Sequence, residues 1–201
     1  MCRILLAALA SFIIPAAMFS QIVAGPSDAF QIRYTANLNL GDSYIDITNA
    51  GTQGGTDTTG FICANVYAFD PNEELISCCT CLITPNALAS LSVDSDIIAG
   101  VHTLTPAKPH SITVALLASM PVAGNCSPGA PGRLASGLRA WGTTLHRLPS
   151  GASALTETEF LPAALSAGEL SHITSFCNFI GFYQPFGTCA SCRAGGLSIS
   201  K

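Results

Sequence analysis

The sequence predicts a mainly β protein: an antiparallel β-sandwich, immunoglobulin-like in architecture, with a C-terminal helix and a disulfide-tied tail. Three observations lead there. Apolar and polar residues alternate strictly from Phe30 to Leu40, which is the period of a strand with one wet face. Five or six short segments of strand character recur at regular spacing, with turn residues between them, up to Met120. One late segment, by contrast, has helical spacing and a helix start signal. The Cys…Trp…Cys spacing of a true immunoglobulin domain is missing.

The elements follow in order. In the first strand Phe30, Ile32, Tyr34, Ala36, Leu38 and Leu40 alternate with Gln31, Arg33, Thr35, Asn37 and Asn39. LGDS turns the chain into YIDIT, where Ile45 and Ile47 share a face. The stretch 49–60 is a Gly/Thr loop without core formers. FICANVYAF, 61–69, is apolar on both faces and reads as a central strand. DPNE supplies the turn into its partner ELISCCTC, and TPN at 84–86 leads to ALASLSV. Residues 94–109 read as irregular, and SITVALLASM, 111–120, as a strand with Ile112, Val114, Leu116, Ala118 and Met120 aligned. Beyond it, 121–133 is a Pro/Gly-rich linker or loop, and LRAWGTTLHRL reads as a further strand. Ser166 and Glu169 form a capping box, with Leu165 and Leu170 at the staple positions. Leu170, Ile173, Cys177 and Ile180 continue one helical face over 166–180, and Gly181 is placed to end it.

The first residues read as a secretory signal: Arg3, an apolar run from Ile4 to Phe19, then small residues, with cleavage placed after Ala24 or, alternatively, near Ser20. Residues 1–24 therefore read as a signal peptide. Residues 25–120 form the sandwich core, and 121–201 a linker, strand, helix and cysteine-rich tail packed on the same domain. The mature 177 residues carry a net charge of −5 and no basic cluster, which argues against nucleic acid and anionic membrane surfaces. No second apolar segment is long enough to span a bilayer.

Cys2 leaves with the signal, so nine cysteines become eight: Cys63, Cys78, Cys79, Cys81, Cys126, Cys177, Cys189 and Cys192. An even count in an exported chain reads as a disulfide framework. Two competing readings are weaker. Zinc favours paired Cys-x-x-Cys motifs: Cys189 and Cys192 form a plain one, but the run Cys78, Cys79, Cys81 sets a third cysteine inside that spacing, and no His flanks either cluster. In a strand, Cys78 also faces away from Cys79 and Cys81, which breaks a common cage. A thiol redox pair at 189–192 lacks a helix N-terminus to lower a thiol pKa. Hairpin geometry suggests Cys63 with Cys79 or Cys81, and the helix suggests Cys177 with Cys189 or Cys192.

Catalytic signals are thin. GDS, 41–43, matches the nucleophile block of GDSL-type esterases, but it joins two strands and no Asp-x-x-His follows, so it reads as a turn. No Gly-x-Ser-x-Gly or phosphate-binding glycine loop occurs. His102, His110, His146 and His172 are scattered, and Glu169 beside His172 is already used by the cap. Asp70, Glu73 and Glu74, or Asp94 with Asp96, could hold a weak Ca²⁺, although turn carboxylates are usually solvated.

SCCTCLITPNAL, LRAWGTTLH and FGTCASCRAGG together resemble exported cysteine-rich bacterial proteins with no assigned activity, from roughly residue 40 to the end. The resemblance implies export and the cysteine framework, and no catalytic or binding residue. The expected function is a secreted or periplasmic, disulfide-stabilised structural or binding protein with no catalytic, metal or cofactor site. An unidentified protein or cell-surface partner is expected of such a chain, with self-assembly as an alternative. The alternatives are a small secreted enzyme or metal-binding protein with a loop-built site, and an extracellular fibre subunit pairing through 30–40.

Overall fold

The computed structural model describes residues 21–53, 59–100 and 108–182, with the backbone of Arg193–Ala194. In chain order the described strands are β1 (Phe30–Thr35), β2 (Tyr44–Asn49), β3 (Ile62–Phe69), β4 (Leu75–Ile83), β5 (Leu88–Ser92), β6 (Ile112–Ser119), β7 (Leu138–Arg147), β8 (Ser153–Glu159), β9 (Leu161–Pro162) and β10 (Arg193–Ala194). One helix, α1, spans Ala167–Phe182, and a single π-helical turn, Val93–Ile97, follows β5. The strands form two antiparallel sheets, ordered β4-β3-β6-β1-β9 and β10-β5-β2-β7-β8. The expected mainly β class with a C-terminal helix is what the chain adopts.

The sheets share one apolar core. Ile45, Ile47, Leu91 and Leu138 of the second sheet meet Ile62, Val66, Ile112 and Leu116 of the first. A second cluster lies on the opposite, outer face of the first sheet. There Tyr67, Cys78 and Leu117 pack against Leu165, Ile173 and Cys177. The strand read as buried on both faces, β3, sits between β4 and β6 and belongs to both clusters.

Half of the expected capping box forms: the Ser166 hydroxyl accepts from the Glu169 amide at 3.0 Å, while the Glu169 carboxylate, expected to be used by the cap, makes no hydrogen bond among the described residues. Leu165 and Leu170 reach the same outer cluster. The helix does not stop at Gly181, which is helical, and continues to Phe182. No helix among the described residues is long and apolar enough to cross a membrane.

The first strand departs from its reading in two ways. It ends at Thr35, because Asn37 takes a left-handed φ of 61° and its side-chain amide donates to the Leu145 carbonyl. Its faces are also reversed. Gln31, Arg33 and Thr35 point inward and are at most 7 % exposed, whereas Ile32 and Tyr34 face out. The inversion holds because the buried polar groups find partners: Gln31 Nε2 donates to the carbonyls of Asp28 and Leu138. Furthermore, β1 lies inside its sheet, between β6 and β9, rather than at an assembly-competent edge. The reversal sets an expected order of mutational effects. In denaturant titrations, Ile32→Thr should change stability by less than about 1 kcal/mol, while Gln31→Ala should cost about 1–3 kcal/mol. The opposite order would mean that the polar face is the wet one.

Candidate functional site

The outer face of the first sheet is where the chemistry gathers. Strand alternation sends Cys63, Tyr67 and Cys78 to this face, and Cys79 and Cys81 to the core side. Cys63 bonds to Cys126, which comes from the loop 121–133. Cys78 bonds to Cys177 on α1. Both pairings correct the expected ones. Cys63 cannot meet Cys79 or Cys81, which lie on the other side of the sheet, and Cys177 is taken by Cys78 rather than by the tail. The hairpin register also shifts by two residues. Cys63 stands opposite Leu82 rather than Thr80, because the turn occupies Asp70–Glu74 and a bulge follows at Ala68/Phe69. Cys79 and Cys81 are disulfide-bonded as well. Cys189 and Cys192 lie outside the described residues, as does His102.

Two polar contacts lock the loop to the same face. The Tyr67 hydroxyl donates to the Pro128 carbonyl at 2.7 Å, and the Asn178 amide of α1 donates to the Gly129 carbonyl at 2.9 Å. Tyr67 is fully buried, and this burial pushes its phenol well above the ordinary value.

Beside the N-terminal half of α1 runs a groove of about 410 Å³. Its floor is apolar: Phe30, Ile32, Phe69, Ala115 and Ala163, with Thr113 among them. Its rim carries Asp70, Glu73, Glu169 and His172. The inverted β1 builds this floor, since it is the outward Phe30 and Ile32 that line it. Not all rim groups are available to a ligand. The Asp70 carboxylate accepts from the amides of Asn72 and Glu74 and so organises its turn. His172 packs against Phe176 in a tilted contact, with ring centroids 4.6 Å apart. Glu73, at a left-handed φ of 66°, and Glu169 stand outside both ion pairs found among the described residues, Lys108–Asp94 and Arg139–Asp28.

The other residues singled out by sequence do not converge. Asp42 accepts from the amides of Ser43 and Asp94 and from the Ser92 hydroxyl, so GDS is a turn that ties β2 to β5. Ser43 is buried, and its hydroxyl has no hydrogen-bond partner among the described residues. Asp96 is buried and accepts from the Ser92 amide, while Asp94 is ion-paired to Lys108. His146 meets Thr156 at the exposed end of β7. Among the described residues, the His110 backbone carbonyl accepts from the Leu38 amide. Among the described residues no group of three or more His, Cys, Asp or Glu is placed to hold a metal ion.

No protein-family model, curated protein or solved structure matches this chain. The immunoglobulin-like part of the expected architecture therefore gains no support from a related fold.

Sequence reasoning missed the groove. Its floor comes from four separate segments and its walls from a turn and a helix, so no local pattern announces it. The one available signal was the bulky Phe30–Ile32 pair, read for the wrong face. Two outcomes are expected. Replacing Cys63 and Cys126 together by Ser should cost about 2–4 kcal/mol in denaturant titration. Stability contributed by neutral Tyr67 should be complete below about pH 10, where the unfolded phenol titrates, and fall as pH rises further. Tyr67→Phe should flatten that alkaline decline, as measured by thermal melts across pH.

Proposed function

We propose that this is an exported, disulfide-stabilised binding protein, secreted or periplasmic, whose ligand sits in the groove beside α1. The observation that carries the reading is the groove itself, an apolar floor under a rim whose Glu73 and Glu169 have no ion-pair partner among the described residues. Such a site suits a ligand with an apolar body and a cationic end. A catalytic reading has less support, because His172 is engaged with Phe176 and Asp70 with its turn. The reading keeps a sandwich of immunoglobulin-like architecture as its scaffold, on the strength of two sheets over one core.

Two further points belong to this reading. Leader removal fits a cut near Ser20 better than one after Ala24. The Val23 amide donates to the Leu165 carbonyl and the Ala167 amide to the Gln21 carbonyl, both at 2.8 Å, and a cut after Ala24 would discard both bonds just ahead of α1. Cys189 and Cys192 are the natural partners of Cys79 and Cys81. They are the cysteines left once Cys2 departs, and β10 pairs with β5 immediately after Cys192.

Three measurements test these statements. N-terminal sequencing of the exported protein should begin at Gln21. Non-reduced peptide mapping should link Cys79 and Cys81 to the peptide holding Cys189 and Cys192, and free thiols there would sink the pairing. Titration with hexylamine, followed by amide shifts at Ala115 and Ala163, should saturate, while hexanoate should leave them unmoved. Glu73→Gln with Glu169→Gln should weaken the amine about fivefold. Equal response to both probes would remove the groove's proposed preference.

A further inference from the structure

Between the two sheets, on the side where β1 faces β7 and β8, Arg33 sits with 7 % of its surface exposed. Its guanidinium is held by three hydroxyls. Nη1 donates to Thr35 at 2.8 Å, Nη2 to Thr144 at 2.8 Å, and Nε to Thr158 at 3.1 Å. Gly142 makes the seat: a Cβ there would come within 2.8 Å of Cζ, Nε and Nη1.

The cluster is unbalanced in two respects. First, the charge has no counter-ion among the described residues. The two ion pairs among the described residues join other groups, and the carboxylates of β8 lie on the wrong face, because Thr158 points inward and Glu157 and Glu159 outward. A guanidinium withdrawn from water without a carboxylate is costly. Consistently, burial alone lowers the Arg33 pKa from its ordinary value. Second, the hydrogen-bond inventory is all donors. Each hydroxyl oxygen accepts from Arg33, so its own proton points elsewhere. Among the described residues neither Thr35, Thr144 nor Thr158 donates to any acceptor. Thr35 is 0 % exposed, which leaves its proton no open solvent. Two guanidinium N–H groups are also left over, since Arg has five.

A cationic, donor-only cluster is completed by an acceptor carrying negative charge. We propose that Arg33, Thr35, Thr144 and Thr158 form a binding site for a compact monovalent anion of halide or single-carboxylate size. Entry is from the β8 side, where Thr158 is exposed on the terminal strand of its sheet. The site is separate from the groove: it lies between the two sheets, on the inner face of β1, whereas the groove lies on the outer face of the first sheet.

Crystals of the mature protein soaked in sodium bromide provide the direct test. An anomalous peak within hydrogen-bonding distance of the Arg33 guanidinium and at least one of the three hydroxyls is expected. Water there, with no bromide peak, overturns the proposal. In solution, sodium bromide at about ten times its dissociation constant should raise the melting midpoint by about 3–6 °C over sodium gluconate of equal ionic strength. Gly142→Ala puts a methyl group where the guanidinium rests, which moves Arg33 off its three hydroxyls, and should abolish that difference. Thr158→Val, at the exposed mouth, should reduce it. Equal midpoints in the two salts for the unaltered protein, or an undiminished difference in Gly142→Ala, would also overturn it.

Discussion

A strand that is apolar on both faces must be covered twice, and β3 imposes that demand on the whole chain. The second sheet covers one face of it. The other face needs a further layer, which the loop 121–133 and α1 provide over Tyr67, Cys78 and Leu117. Neither segment buries much by itself. Of α1, Ile173 and Cys177 are the buried residues, so an isolated helix of this composition would hold poorly. The two bridges answer that weakness: each joins the first sheet to one part of the outer layer.

The same layering explains what could be read from residues alone and what could not. Period-two alternation marked the strands, and Ser166 with Glu169 marked where α1 starts, because both signals are local. The face of β1 was not local. Gln31 and Arg33 are acceptable inside only because Leu138, Thr144 and Thr158, more than a hundred residues later, supply acceptors. Alternation identifies two faces but cannot say which is wet when polar residues find buried partners. Cysteine pairing failed for a related reason. Separating Cys78 from Cys79 and Cys81 followed from strand geometry, but choosing Cys126 and Cys177 required knowing that two distant segments share one sheet face.

The reversal of β1 connects the interior to the surface. By turning its polar residues inward, the strand gathers an uncompensated cation between the sheets. By turning Phe30 and Ile32 outward, it lays the floor of the groove. One choice of face thus creates both of the chain's chemically distinctive places. The groove was invisible in sequence because its acids come from a hairpin turn and a helix start, where Asp70, Glu73 and Glu169 look like ordinary turn and cap residues.

The two bridges interleave along the chain: Cys63, Cys78, Cys126 and Cys177 alternate between them. Their consequence is mechanical. A pulling force that enters before Cys63 and leaves after Cys177 finds a covalent shortcut through the β3–β4 hairpin, only fifteen residues from Cys63 to Cys78. The 99-residue span closed by the second bridge, with most of the second sheet inside it, stays slack under load. Pulled taut, that path lengthens by no more than about 3.6 Å per residue of hairpin. With both bridges intact, the stretch from Cys63 to Cys177 is a short, nearly inextensible link, and only the chain before Cys63 and after Cys177 is left to lengthen under load.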